Sequence, residues 1–344
     1  MKMKKSLRLL AVLGVMSLSV FGFTACGDDQ NATGDKASEV RIGTMNLVNG
    51  DLIAQQEQWY ENELGVKVRM MKFSSGPDMN KAIADNVIDI AQSGTAPAAS
   101  AIAEGQDLEV IFIGNLLGSA ETLIAKPNSG ITSLQDLPGK RVAVTFLSTA
   151  HYSLVSALKQ EGINPNSIQF FYLKPDEILP AWQRNDIDAA YIWYPMLDTM
   201  YEEGGISITD SGQLAKHDIV TADLAVTSKK FAEQNPGLMT KFVELQMRAN
   251  DMIKNDPDHA AQDVADILGI SVEDAQGQFS HYGYLDADEQ IEQLDNHMPQ
   301  VLKNTADFFV DQKAIPFAPD LDVFQQHVTS EYVKNALKNT KSAQ

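Results

Sequence analysis

The 344-residue sequence has a single cysteine, Cys26, which excludes a disulfide within the chain and any metal site built on several thiolates. Nucleotide-binding glycine patterns are missing: there is no GxGxxG and no P-loop. The hydrolase elbow G-x-S-x-G and the zinc motif HExxH are absent too, and the six histidines show no ligand spacing. Positive charge is scarce, with 27 Lys and Arg against 46 Asp and Glu and a formal net charge of −19. That balance argues against nucleic acid as a partner and favours a solvated acidic surface. Beyond residue 23 no stretch is long and apolar enough to span a bilayer.

What is present begins with an address. Lys2, Lys4, Lys5 and Arg8 make a basic start to an apolar stretch over residues 7–23 that is short for a membrane span. It ends in Phe23-Thr24-Ala25-Cys26-Gly27, which resembles a bacterial lipoprotein signal, in which a cysteine after small residues is lipidated and becomes the new N-terminus. Phe23 stands where Leu is usual, and an ordinary secretory signal with an incidental cysteine is the alternative. The expected organisation is a signal peptide over 1–25 and a polar, flexible tether over 26–39. Cleavage after residue 25 removes four basic residues and no acidic one, leaving 23 against 46. The remainder is long enough for two lobes.

Residues 140–162, KRVAVTFLSTAHYSLVSALKQEG, organise the rest. A short β-branched strand ends, Ser148 and Thr149 stand where a helix cap belongs, and Leu154, Val155 and Leu158 follow at helical spacing up to Gly162. A helix start of this kind offers unpaired backbone N–H groups and a positive dipole end to an anion, although either hydroxyl could do no more than cap its own helix. Upstream, strands over 39–45, 66–73, 87–92 and 108–115 alternate with helices over 52–63, 78–85 and 98–104. Downstream come strands over 168–173, 187–193 and 219–227, then a run of helices from 228 to 337, with 286–310 read as one long amphipathic helix. Alternation implies parallel α/β sheets whose ligands sit at the carboxyl ends of strands. The turns at Ser74-Ser75 and Ser93-Gly94-Thr95 lie at such ends. An echo, N-x-I-D-x-A at 86–91 and again at 185–190, suggests two lobes of similar build.

Over most of residues 40–335 the chain resembles the type II periplasmic binding proteins, the receptors of ABC importers, and within them the taurine-binding branch. The resemblance rests on KFSSG at 72–76, SGTAP at 93–97, GSAE at 118–121, FLSTAHYSL at 146–154, AWQRNDIDAAYIW at 181–193 and VTS at 328–330. It implies an α/β fold of two lobes joined by two crossover strands, over 122–126 and 222–227, with extra C-terminal helices. Lobe one would comprise 40–125 plus 226–344 and lobe two 126–225. It further implies closure over taurine or a close sulfonate, delivery to the permease and ATPase subunits of the importer, a monomer anchored through Cys26 on the extracytoplasmic face, and no cofactor.

On that resemblance, Ser148 and Thr149 hold the sulfonate together with the turns at Ser75 and at Gly94-Thr95. His151 lies behind them and could be a structural helix residue. Trp193 and Tyr194 could wall the cleft, with core packing the rival reading for Trp193. Glu121 and Asp223 are candidates for an ammonium group, or for hinge acceptors. The pattern departs at Leu224-Ala225, where the family carries a large aromatic, and at Tyr194, where a small residue is common. Receptors for alkanesulfonates, another small anion or a thiamine precursor stay open as alternatives, as does a thiamine-precursor enzyme on the same fold.

Overall fold

In the computed structural model, which describes residues 35–342, the alternating segments form two separate sheets. Along the chain the strands are β1 (Glu39–Thr44), β2 (Lys67–Lys72), β3 (Ile90–Gly94), β4 (Leu108–Leu117), β5 (Glu121–Ala125), β6 (Arg141–Val144), β7 (Gln169–Tyr172), β8 (Ala189–Trp193), β9 (Ile206–Asp210), β10 (Ala222–Ser228) and β11 (Tyr282–Gly283). The first sheet has the order β11-β4-β10-β3-β1-β2 and the second β7-β6-β8-β5-β9. In each, three parallel strands (β2-β1-β3 and β7-β6-β8) meet one antiparallel strand supplied from elsewhere in the chain, β10 and β5 respectively. β3, β5 and all but one residue of β10 are buried along their length, as expected of strands covered on both faces.

The sequence echo has a structural cause. Asp89 accepts from the backbone N–H and Nε of Arg41 at 2.8 and 2.9 Å, and Asp188 does the same for Arg141 at 2.9 and 3.1 Å. Nη2 of each arginine closes the fork at 2.6 Å. Asn86 and Asn185 adopt left-handed backbone, φ 61° and 63°, and turn their carbonyls onto Nη1 of the same arginines. Asn tolerates that conformation because its short polar side chain bonds locally. Each copy therefore ties the start of its third parallel strand to the strand beside it.

Several boundaries differ from expectation. The segments expected to cross between lobes are strands lying wholly inside one sheet: β5 pairs with β8 and β9, and β10 with β3 and β4. The chain passes between sheets at Gly118–Ala120 and at 216–221 instead. The first helix breaks at Gln58, which takes φ 56°, into Gly50–Gln56 and Trp59–Glu63. The long C-terminal helix loosens to i→i+5 bonding over Gln293–His297 before Met298–Asp311, where Pro299 has no N–H to donate. Val328 interrupts the expected run of helices by bridging to Val110 of β4. The C-terminal helices do not all sit on the first sheet: Val264, Ala275 and Phe279 join a core with Ile178, Trp182 and Leu197 of the second, and Gln278 donates to Asp198 at 2.7 Å. Cys26 and the expected signal and tether up to residue 34 lie outside the described residues. Among the described residues no helix is long and apolar enough to cross a membrane.

Candidate functional site

Three helices begin at carboxyl ends of parallel strands, or just after them, and their starts converge. Gly76–Ala84 follows β2, with Ser75 as its cap; Thr95–Ala103 follows β3 directly; Thr149–Gln160 follows β6, with Ser148 as its cap. The first two belong to the first sheet and the third to the second, so their meeting point lies between the sheets. Ser75, Gly76, Gly94, Ser148 and Thr149 line a cavity there of about 450 Å³, its mouth included. Gly94 is there for want of room: a Cβ on it would stand 2.8 Å from Cγ2 of Thr149 across the cleft. Glu121, Trp193 and Asp223 line the same space, and among the described residues no Lys, Arg or His does.

The hydroxyls are mostly spent. Oγ of Ser148 donates to the Thr145 carbonyl at 2.7 Å and accepts from the His151 N–H at 3.2 Å, a helix cap. Ser75 donates to the Asp78 carboxylate at 2.9 Å and accepts from the Asp78 N–H at 3.4 Å. Thr149 donates to Oε1 of Glu121 at 2.5 Å, and Ser211 donates to Oε2 at 2.9 Å. The Ala150 N–H also favours the ionised form of Glu121. A protein carboxylate thus occupies part of the helix start expected to hold an external anion. The first-turn N–H groups of Gly76, Thr95 and Ala96 have no helical carbonyl to pair with, since a helix leaves its first four donors unmatched.

Glu121 is 1% exposed, and burial, with Asp223 nearby, pushes its carboxyl up to about 8 despite those hydrogen bonds. Asp223 lies opposite Gly94 on one side of its ladder and opposite Asn115 on the other. It is 8% exposed, and burial pushes it up to about 7, with Asn115 pulling weakly the other way. Two carboxyls held near neutrality in a cavity without a basic residue make a place for a cation.

Three expected site residues stand elsewhere. Thr95 is fully buried, its hydroxyl 3.5 Å from the Ala222 N–H at the start of β10. His151 is buried among Phe146, Tyr172 and Phe309, with ring centroids 5.3 to 5.9 Å away. Desolvation pushes it down to about 4, and Nδ1 accepts from the Leu147 N–H at 3.3 Å, so it is a neutral structural residue. Tyr194 stacks on His281 at 5.0 Å and hydrogen-bonds its Nε2 at 3.2 Å. Trp193 combines both of its readings, for it is half-buried against the core and lines the cavity. Leu224 and Ala225 are fully buried within the first sheet and do not line it.

The apolar lining was missed. Met45 and Leu47 follow β1, and the rule that ligands gather at strand ends could have found them. Leu117 and Tyr282 had no local signal, because β11 brings Tyr282 opposite Leu117 across some 160 residues.

Comparison with known proteins bears on the family and the fold. A family model described as NMT1/THI5 like matches residues 47–260. The chain is 32% identical over 305 residues to the taurine-binding periplasmic protein of Escherichia coli (strain K12), covering 87% of this chain and 94% of that one. Among solved structures, the alkanesulfonate-binding protein SsuA from Xanthomonas axonopodis pv. citri, bound to MOPS, superposes with a TM-score of 0.72 at 21% identity, over 84% of this chain and 96% of that one. The periplasmic aliphatic sulphonate binding protein SsuA from Escherichia coli gives 0.72 at 23%, over 86% and 92%. These likenesses establish the two-sheet fold as that of periplasmic binding proteins.

Proposed function

The chain belongs to the NMT1/THI5-like family, and from that premise we propose that it is the extracytoplasmic substrate-binding component of an ABC importer whose ligand is taurine. The carrying observation is the pair Glu121 and Asp223, two buried carboxyls facing a cavity that no basic side chain among the described residues lines. An alkanesulfonate brings only negative charge to such a place. Taurine brings an ammonium for the carboxylates and a sulfonate for backbone N–H groups at the helix starts that line the cavity, that of Gly76 foremost. A sulfonate carries one charge over three acceptor oxygens, so several neutral donors suit it without an arginine. The two methylenes between its charged ends meet Leu117, Trp193 and Tyr282. In this reading the ligand leaves as it arrived; the Escherichia coli relative is named a taurine-binding periplasmic protein.

The lobes in this reading are the two sheets with their helices, hinged at Gly118–Ala120 and 216–221. The closed form is favoured by ligand because only there do Gly94 and Thr149 enclose it from both sides. Cys26 would tether the receptor to the membrane through lipid; the expected tether over 26–39 is shorter than the sequence suggests, because Asp35, Lys36 and Ala37 already bond to Gly237 and Asn235 and Glu39 opens β1.

Ethanesulfonate is the test ligand, since it lacks only the amine. Taurine is expected to bind at least tenfold tighter, about 1.4 kcal/mol. Asp223→Asn should shrink that gap more than it weakens ethanesulfonate, and calorimetry with both ligands measures it. A second reading rests on the same carboxyls. Held near neutrality, either could donate its proton to an alkanesulfonate oxygen, and ethanesulfonate would then bind as well as taurine and better at low pH. Equal affinities on the wild type would favour that reading and end the taurine assignment.

A further inference from the structure

Away from the cleft, Glu57 at the end of helix Gly50–Gln56 meets His259 and Asp263 of helix Pro257–Leu268. These are the one group of three His, Cys, Asp or Glu among the described residues whose ligand atoms all lie within 4.8 Å of one another. His259 and Asp263 are four residues apart and so share a helix face. Nε2 of His259 stands 3.1 Å from Oε1 of Glu57 and 3.9 Å from Oδ1 of Asp263.

Asp263 is the informative member. It is 5% exposed, and its Oδ2 is buried with no hydrogen-bond partner. An unpaired carboxylate in that position is costly. A proton on Nε2 of His259 does not relieve it, because that nitrogen faces the other oxygen, Oδ1, and Glu57 is its nearer acceptor. A metal ion on the same nitrogen takes all three groups at once. Ligands at about 2.0–2.1 Å in a tetrahedral arrangement stand roughly 3.3 Å apart, so the Glu57–His259 separation already fits and Asp263 needs only a small rotation. Nδ1 of His259 faces Oδ2 of Asp256 at 3.8 Å, on the side where a carboxylate orients a metal-bound imidazole. His259 is half exposed, which leaves an entry path and room for water as fourth ligand.

We propose that Glu57, His259 and Asp263 form a binding site for a first-row divalent transition metal, such as zinc, that staples helix Gly50–Gln56 to helix Pro257–Leu268. An imidazole with two carboxylates prefers such ions to magnesium or calcium. The clamped helix starts three residues after the cleft residue Leu47, so the staple holds one wall of the cavity at its far end.

The test uses untagged protein stripped of metal, titrated with zinc chloride by calorimetry and followed by thermal melting. One zinc per chain and a raised melting temperature are expected, with no comparable heat from magnesium chloride. His259→Ala and Glu57→Gln should each weaken zinc at least tenfold. Asp263→Asn should do the same while raising the melting temperature of the metal-free protein, because it removes the unpaired carboxylate. His297→Ala, exposed at the end of the helical segment Gln293–His297, should bind as wild type does. Wild-type protein that takes up no zinc at 100 μM, or the three site variants binding it unchanged, would overturn the proposal.

Discussion

In the proposed reading Glu121 and Asp223 select what the cleft accepts, and their ionisation makes the point measurable. Each ionises near pH 4 in an unfolded chain, but at about 8 and about 7 in the fold. Between these limits the native state holds more protons than the unfolded one, so their contribution to stability falls as pH rises from 4 towards 8. Paired carboxylates such as Asp188, which Arg141 holds below the usual range, push the other way. The difference between wild type and Asp223→Asn isolates the effect. Urea unfolding of ligand-free protein should show the variant gaining stability on the wild type between pH 5 and pH 8, and an unchanging difference would remove the buried acid from the account. An ammonium ligand reverses the preference by favouring both carboxylates. Taurine affinity should accordingly rise with pH over this range and binding should release protons, which calorimetry in buffers of different ionisation enthalpy detects.

The helix is the next unit, and what matters is where it begins. Sequence spacing placed three helix starts at strand ends, and all three reach the cavity. The assignment of tasks among them differs from expectation. The start of Thr149–Gln160 serves Glu121, while Gly76, which opens Gly76–Ala84, lines the cavity with no helical carbonyl for its N–H. Gly94 marks the contact between elements of opposite sheets. Its φ of −84° suits any residue, so alanine there carries no backbone strain, and its methyl would touch Pro97 at ordinary contact distance, 3.4 Å, and crowd only the Thr149 methyl across the cleft. Gly94→Ala should leave the melting temperature of the ligand-free protein nearly unchanged and weaken taurine at least tenfold by keeping the lobes apart. Unaltered affinity would mean that closure does not bring these two helices together.

At the scale of the whole molecule, a receptor needs to move and to stay near its importer. Scattering should report a smaller radius of gyration with taurine, and the open form should persist with ligand in Gly94→Ala. Cys26→Ser should shift the protein from the membrane fraction to the soluble or secreted fraction without changing taurine affinity, because the cleft and the tether share no residue. Wild-type protein without lipid mass, together with membrane association kept by the variant, would contradict the anchor. The Lys159–Asp311 ion pair at 3.0 Å joins the helix Thr149–Gln160 to Met298–Asp311. Both side chains are well exposed, so it offers closure little energy.

How much was legible in advance follows a physical line. Local periodicity and turn chemistry depend on residues a few positions apart, so the sequence by itself determined the alternating strands and helices, the capped starts at Ser75 and Ser148, and the echo N-x-I-D-x-A, though not the Arg–Asp ties behind it. Motif resemblance added Glu121, Trp193 and Asp223 as cleft residues. Direction and proximity depend on packing between distant segments, and those only the tertiary structure decided. It turned His151 into an aromatic cluster and Tyr194 onto His281, gave Glu121 to Thr149 and Ser211, and moved the passages between sheets outside β5 and β10. It also brought Tyr282 to the cavity and Glu57 to His259, across separations that no local pattern encodes.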